Sequence, residues 1–368
     1  MPAGARRNAC AAALLCALAA CGGGPVMIGD AYPRGARSQS IADVAQGALD
    51  SQPGAHVSIE RWKVTNSASM AQAFDGALQF TTNPNVLGVV GHAGSRESLI
   101  GAKYYNAIGV TQIVPNSTAR RLTSAGTWTF RLVPDDSVEG VFLAAYAIDS
   151  IHAGRVQLFY VGDEYGVGIR DGVSSELRAR GIPVLDATML PGRGCGGQLW
   201  SDAHRFPVLA ALRRSRPDVV IFGTGSADAA CLVQLVAEGA PNAVILGADG
   251  FVIAHDELAK LPERARARLR TVSFWQPDEN AASRAFIARW HRLFAREPDD
   301  VDALVYDGFL LLGKAVRDGG SSRRAVKRYV ESLGGSRPPF EGVTGPISFD
   351  HGRRVGLKLR MVPPVHVP

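Results

Sequence analysis

Val86-Leu-Gly-Val-Val90-Gly-His92-Ala-Gly-Ser95 sets the architecture of the chain. A short, β-prone apolar run ends in a Gly-rich turn, and a helical pattern over Ser95–Asn106 begins at once. The plan repeats in Gly109-Val-Thr-Gln-Ile-Val-Pro115-Asn-Ser117-Thr118, and again in Thr129-Phe-Arg131-Leu-Val-Pro134-Asp135-Asp136. Short β-rich runs of this kind read as strands. On either side the pattern continues. Strands are predicted at Val26–Ala31, Val57–Trp62, Val86–Val90, Val110–Val114 and Trp128–Leu132, with helices at Ile41–Ser51, Ser69–Phe80 and Ser95–Asn106 between them. A second series places strands at Val156–Val161, Val184–Leu190, Val219–Phe222 and Val244–Leu246. Its helices fall near Val138–Ile151, Gly168–Arg180, Phe206–Arg214 and Ala227–Glu238. Strand–helix alternation means parallel sheets with right-handed crossovers, so two blocks imply two doubly wound α/β lobes. The remainder reads as helices over His255–Leu269, Glu279–Arg296, Val301–Arg317 and Arg323–Leu333, with one strand at Arg270–Trp275. A closing hairpin, Val343–Phe349 with Val355–Val362, is expected around Asp350–Arg354.

Composition narrows the function. The chain has 368 residues, 46% hydrophobic and 20% charged, enough apolar matter for a core and too little charge for a disordered chain. Net charge is +6, but the 40 Lys and Arg residues are scattered among 34 Asp and Glu. The densest basic stretch, Arg264–Arg270, alternates with small apolar residues and lacks aromatic partners, so no nucleic-acid surface is predicted.

The N-terminus reads as an export signal. Arg6-Arg7 precedes the uncharged run Ala9–Ala20, which is too short to span a membrane. Leu18-Ala19-Ala20-Cys21, followed by three glycines, resembles a bacterial lipobox. Residues 1–20 are then a lipoprotein signal peptide, Cys21 carries lipid, and 21–25 form a tethered linker. The other reading is ordinary cleavage near Ala20, with Cys21 incidental. Of five Cys, only Cys195 and Cys231 remain beyond this region, an even number for an oxidising compartment. They pair if the strands ending near Leu190 and Phe222 are neighbours; the alternative is two separate buried thiols.

Catalytic patterns are missing. The sequence contains no Gly-x-Ser-x-Gly elbow, phosphate-binding loop, Cys-x-x-Cys or His-Glu-x-x-His, and its eight His residues are dispersed. No metal, no cofactor and no catalytic residue is expected, and the chain is read as a non-enzyme. Gly166-Val-Gly168-Ile-Arg-Asp-Gly172 imitates a dinucleotide-binding turn, but its last spacing is one residue too long. It is read as a tight strand-to-helix turn. Asp135-Asp136 and Asp299-Asp300 precede helices and are read as caps.

The segments Val86–Ser95, Gly109–Thr118 and Thr129–Asp136, followed in order by Val161-Gly-Asp-Glu-Tyr165-Gly166, Pro217–Gly223, Leu246-Gly-Ala-Asp249-Gly250 and Gly345–Asp350, resemble the branched-chain amino-acid-binding (Leu/Ile/Val-binding) family. These are type I periplasmic binding proteins, the substrate-binding components of ABC transporters. The resemblance implies two lobes joined by three hinge crossings, lobe 1 at 26–132 plus 254–334 and lobe 2 at 133–253 plus 337–368. It implies an extracytoplasmic lipoprotein that captures an amino acid or similar small polar solute between the lobes. Its partners would be that small-molecule ligand, an ABC permease with its ATPase, and the membrane holding its lipid. The alternative is a ligand-sensing subunit of a signalling system with the same fold. In the family, residues matching Ser95 and Thr118 grip the ligand α-carboxylate, and the backbone at Ser117 also bonds the head group. Asp249 stands where an acidic residue faces the α-ammonium, and Tyr165 closes from lobe 2. The loop Tyr32–Ser40, where the family places contacts to the ligand side chain, matches poorly. Independently, Ser95, Ser117, Thr118, Tyr165 and Asp249 all follow predicted strands, where helix N-termini favour ligands in α/β sheets.

Overall fold

The structure, a computed structural model, describes residues 25–63, 69–190 and 202–364. The expected signal peptide, Cys21 and Cys195 lie outside these residues. The first block contains β1 (Val26–Asp30), α1 (Ala36–Asp50), β2 (Val57–Arg61), α2 (Met70–Thr82), β3 (Val86–Val90), α3 (Ser95–Ile108), β4 (Thr111–Val114) and β5 (Thr129–Arg131). The second contains α4 (Asp136–Asp149), β6 (Val156–Val161), α5 (Glu164–Ala179), β7 (Val184–Leu190), α6 (Asp202–Ser215), β8 (Val219–Gly223), α7 (Ser226–Gly239) and β9 (Val244–Gly247). Short helices α8 (His255–Lys260) and α9 (Glu263–Arg268) then lead to β10 (Leu269–Ser273). The last block has α10 (Ala281–His291), α11 (Asp300–Gly319) and α12 (Arg323–Glu331). It ends with β11 (Phe340–Gly342), β12 (Gly345–Ile347), β13 (Phe349–Asp350), β14 (Arg353–Arg354) and β15 (Arg360–Val362).

The first sheet has the order β13-β14-β5-β4-β3-β1-β2 and the second β15-β10-β9-β8-β6-β7. Within each, five parallel strands follow the same doubly wound scheme, and antiparallel pairing is confined to the edges. Every residue of β3, β4, β6 and β8 is buried, as a sheet covered by helices on both faces requires. α11 lies against the first sheet, where Gly308 comes close to Val90 and Leu312 fills the space over Gly88.

Sheet membership departs from the expected boundaries at two points. β10 pairs in parallel with β9, Leu269 opposite Ile245, so the chain through Ser273 stays with the second sheet instead of joining lobe 1. β14 pairs with β5, Arg353 opposite Arg131, so β13 and β14 extend the first sheet although lobe 2 was expected from residue 337. The expected closing hairpin is replaced by a much shorter one. His351 (φ 47°) and Gly352 (φ 76°) form a two-residue turn of the type that matches strand twist, which joins β13 to β14. Gly356 (φ 77°) then turns the chain away, and β15 pairs with β10 in the other lobe. The expected helix 255–269 splits because Pro262 forces Leu261 into an extended conformation.

The Gly166–Gly172 motif has a packing explanation. α4 and α5 pack backbone to backbone: a Cβ on Gly140 would lie 2.4 Å from the Ile169 carbonyl oxygen, and one on Gly172 would lie 2.2 Å from that of Ser137. Asp135 caps α4 by accepting from the Ser137 and Val138 amides, and Asp163 caps α5 by accepting from Gly166. Cys231, in α7, is disulfide-bonded. β7 and β8 flank β6 and are not adjacent, so the premise of neighbouring strands for a bridge to Cys195 does not hold.

Gly172→Ala tests the helix contact. In an ordinary helix Ala stabilises relative to Gly, by about 1 kcal/mol. Here the added methyl should force α4 and α5 apart, and overpacking of this kind costs about 1–3 kcal/mol. Calorimetry should show a lower Tm; an unchanged or raised Tm would refute the contact.

Candidate functional site

The two sheets present their strand carboxyl ends to one junction, and five side chains from four segments meet there. Tyr165, in the first turn of α5, donates its hydroxyl to Asp249 Oδ1 at 2.8 Å and accepts from the Gly250 amide at 2.9 Å. The Asp249 amide, just past β9, donates to Glu139 Oε1 at 2.6 Å. Glu139 and Asp136 sit three residues apart on α4, hence on one helix face, and both are fully buried. The Asp136 amide donates to the Thr118 carbonyl oxygen at 3.0 Å, which ties the first lobe to the second. Glu139 Oε2 and both Asp136 carboxylate oxygens lack a hydrogen-bond partner of good geometry, although the Thr118 hydroxyl lies close enough to favour ionised Asp136.

Three buried carboxyl groups cannot all be charged cheaply, and of the three only Asp136 is favoured as an anion by a cation, Arg131, which pairs with Asp135 at 3.6 Å. Burial pushes Asp136 up to about 8, with Asp249 and Asp135 adding to the rise and Thr118 opposing it. Burial also drives Glu139 well above the carboxylate range, reinforced by Asp249. Asp249 is raised by burial too, but hydrogen bonds from Tyr165, Glu139 and Gly250 act against this and favour its anion. Asp249 is therefore the carboxylate of the three most suited to carry the charge. Among the described residues no acidic or thiol group of three has the arrangement of a metal site.

The deeper part of the lobe 1 wall, at Ser117 and His92, is polar and uncharged. Ser117 is buried and turns its hydroxyl to Ser98 at 2.9 Å. Burial holds His92 down to about 3, so it is neutral, with Nε2 3.0 Å from the Tyr105 hydroxyl. Ser95 is the first residue of α3, whose cap is Gly94, so it is not itself the N-cap. Tyr32, at the start of the loop after β1, donates to Asn116 Oδ1 at 2.6 Å. A groove of about 580 Å³ opens beside the junction between residues 120–124 and α5, with Asp135 and Gly168 in its lining. Two exposed ion pairs cross it, Arg120 with Asp171 and Arg121 with Glu164, each at 3.9 Å. Such pairs contribute little, about 0–1 kcal/mol.

Thr118, Tyr165 and Asp249 thus meet at this junction, while Ser117 spends its side chain on the lobe 1 scaffold. Sequence reasoning missed Asp136 and Glu139. Asp136 was read as a cap, yet Asp135 alone does that work; likewise Asp299 caps α11 while Asp300 accepts from the Phe274 amide and Ser273 hydroxyl. The signal was available in the i, i+3 spacing of two acids on an otherwise apolar helix face.

Residues 66–361 match the family model described as periplasmic binding protein. The chain belongs to the periplasmic binding protein family. Membership implies an extracytoplasmic place of work. The chain is 27% identical over 239 residues, 64% of its own length and 60% of the relative's, to the "Amino acid binding protein" of Pseudomonas aeruginosa. It is 25% identical over 264 residues, 71% of its length and 67% of the relative's, to Leu/Ile/Val-binding protein homolog 1 of Brucella abortus. The matched stretch thus spans about three fifths of the first relative. Among solved structures, a branched-chain amino acid transporter substrate-binding protein of Streptococcus pneumoniae in complex with isoleucine superposes with a TM-score of 0.76. It is 21% identical, with 92% of this chain and 95% of that one covered, and it establishes the type I bilobed fold.

The buried acids make a pH prediction for this periplasmic binding protein. A carboxyl whose folded value is raised stabilises the fold below its unfolded value, and that contribution is lost as pH rises through the folded one. For Asp136 the window runs from 3.8 to about 8. Ligand-free protein should therefore lose stability across this window. Asp136→Asn should flatten the loss and raise Tm above pH 8; identical Tm–pH curves would exclude Asp136 as a source.

Proposed function

We propose that this chain captures an α-amino acid between its lobes and delivers it to an ABC permease, without chemical transformation. One observation carries the reading: Asp249 is held by Tyr165 and the Glu139 side chain at the lobe junction, next to Thr118 of the opposite lobe. A zwitterion needs a carboxylate for its ammonium and hydroxyl or N–H donors for its carboxylate. Asp249 supplies the first. The Ser95 and Thr118 hydroxyls, the backbone near Ser117 and the N-terminus of α3 supply the second. Tyr165 closes the site from lobe 2. The relatives named for amino acids and for Leu/Ile/Val support an aliphatic amino acid as ligand.

Isothermal titration calorimetry with L-leucine, L-isoleucine and 4-methylpentanoate tests the reading, because the last is leucine without its ammonium. The amino acids should bind and 4-methylpentanoate should not. Asp249→Ala strands a desolvated ammonium, a loss of about 2–5 kcal/mol, so leucine affinity should fall at least about thirtyfold. Equal binding of leucine and 4-methylpentanoate, or unchanged affinity in the variant, would sink the α-amino-acid reading.

The proposal includes a lipid anchor at Cys21 and a disulfide between Cys195 and the oxidised Cys231. Mass spectrometry of the exported, unreduced protein should find acyl mass on the peptide starting at Cys21 and one Cys195–Cys231 linked peptide. Cys21→Ser should release the protein from the membrane fraction. A variant that stays bound to membranes would remove the anchor.

A further inference from the structure

Glu139 has no counterpart among the ligand-gripping residues named above, yet it is fully buried and bonded to the residue that faces the ligand. Its Oε1 accepts from the Asp249 amide at 2.6 Å, its carboxyl is close enough to that of Asp249 for each to bear on the other's proton, and its Oε2 has no hydrogen-bond partner. An ionised Glu139 would set two anions against each other in a buried site, with Asp136 as a third acid on the same helix face. A neutral Glu139 removes that conflict. We propose that Glu139 carries a proton on Oε2 that it donates to Asp249, and that this acid–carboxylate pair positions Asp249 as the single anion presented to the cationic group of the ligand.

The local charges fit this division of roles. Tyr165 donates to Asp249, and the Gly250 amide, itself bonded to the Tyr165 hydroxyl, lies close enough to favour the same charge, whereas no described donor serves Glu139 Oε2. The Asp249 amide bonded to Oε1 fixes the rotamer, so Oε2 is the oxygen left for the proton. Hydrogen bonds to an ionised acceptor are shorter and about twice as strong as neutral ones. Glu139 is thus a positioning residue: it acts on the ligand through Asp249. Glutamine reproduces the pattern, because its carbonyl accepts from the Asp249 amide while its NH2 donates to the Asp249 carboxylate. Leucine reproduces neither.

This inference rests on the amino-acid reading for its ligand, so its test includes a measurement that needs none. Infrared spectra of ligand-free protein at neutral pH should show protonated-carboxyl absorption, and the wild-type minus Glu139→Gln difference should retain a band worth one carboxyl. With L-leucine as the probe, Glu139→Leu should lose at least about tenfold in affinity, the scale of one buried hydrogen-bond partner. Glu139→Gln should recover most of that loss. No infrared difference, or a Gln variant as weak as the Leu variant, overturns the proposal; the Gln result stands even if Glu139→Leu does not fold. If wild type ignores leucine while the infrared band is present and lost in Glu139→Gln, the amino-acid reading falls and the protonated pair remains.

Discussion

Backbone contact between α4 and α5 is the constraint on which the junction of buried carboxyl groups depends. Helices usually pack 8–10 Å apart because side chains separate them. At Gly140 and Gly172 nothing does, and carbonyl oxygens of each helix occupy the space a methyl group would need on the other. The approach brings Asp136 against Gly168, whose absent Cβ leaves room for the acid's own Cβ. It also sets Glu139, one turn along α4, at the level of the loop after β9, where it meets the Asp249 amide. A wider helix pair would carry α4 away from β9, and the carboxyl groups would no longer share one environment.

The sequence made the two sheets legible because their strands are short, apolar and bounded by Gly or Pro. β3, β6 and β7 fall where Val86–Val90, Val156–Val161 and Val184–Leu190 were read. Errors concentrate where partnership, as opposed to local preference, decides. Nothing within Arg270–Trp275 announces that its neighbour is β9, and nothing in Val355–Val362 announces that it must leave the turn it follows. Both choices come from long-range pairing. The Gly166–Gly172 motif is similar: a tight turn was half the answer, since its glycines also serve a helix that lies earlier in the chain.

At the junction, residues at strand ends were legible and those on a helix face were not. Tyr165 and Asp249 follow β6 and β9, so topology alone directs attention to them. Asp136 was hidden by its neighbour. Paired acids before a helix satisfy the capping rule, and the rule does not say that one acid caps while the other is buried. Glu139 was hidden because glutamate in a helix is ordinarily a surface residue; only the loop from β9, more than a hundred positions away, makes it part of the site.

The cost of that burial has a use. Burial pushes Asp136 and Glu139 towards their neutral forms, and charge on Asp249 sits in a poorly solvated place, which costs free energy. On the proposed amino-acid reading, a ligand ammonium against Asp249 would relieve this penalty beside the contact of the Thr118 carbonyl with the Asp136 amide. Such a ligand would then gain more from closed lobes than from open ones. A conformational equilibrium can be shifted only by such a difference in affinity. Exposed pairs such as Arg120–Asp171, solvated before and after closure, contribute little to it. On that reading hinge closure would be coupled to the charge of the captured solute through the buried carboxyl groups, with the surface salt bridges contributing little.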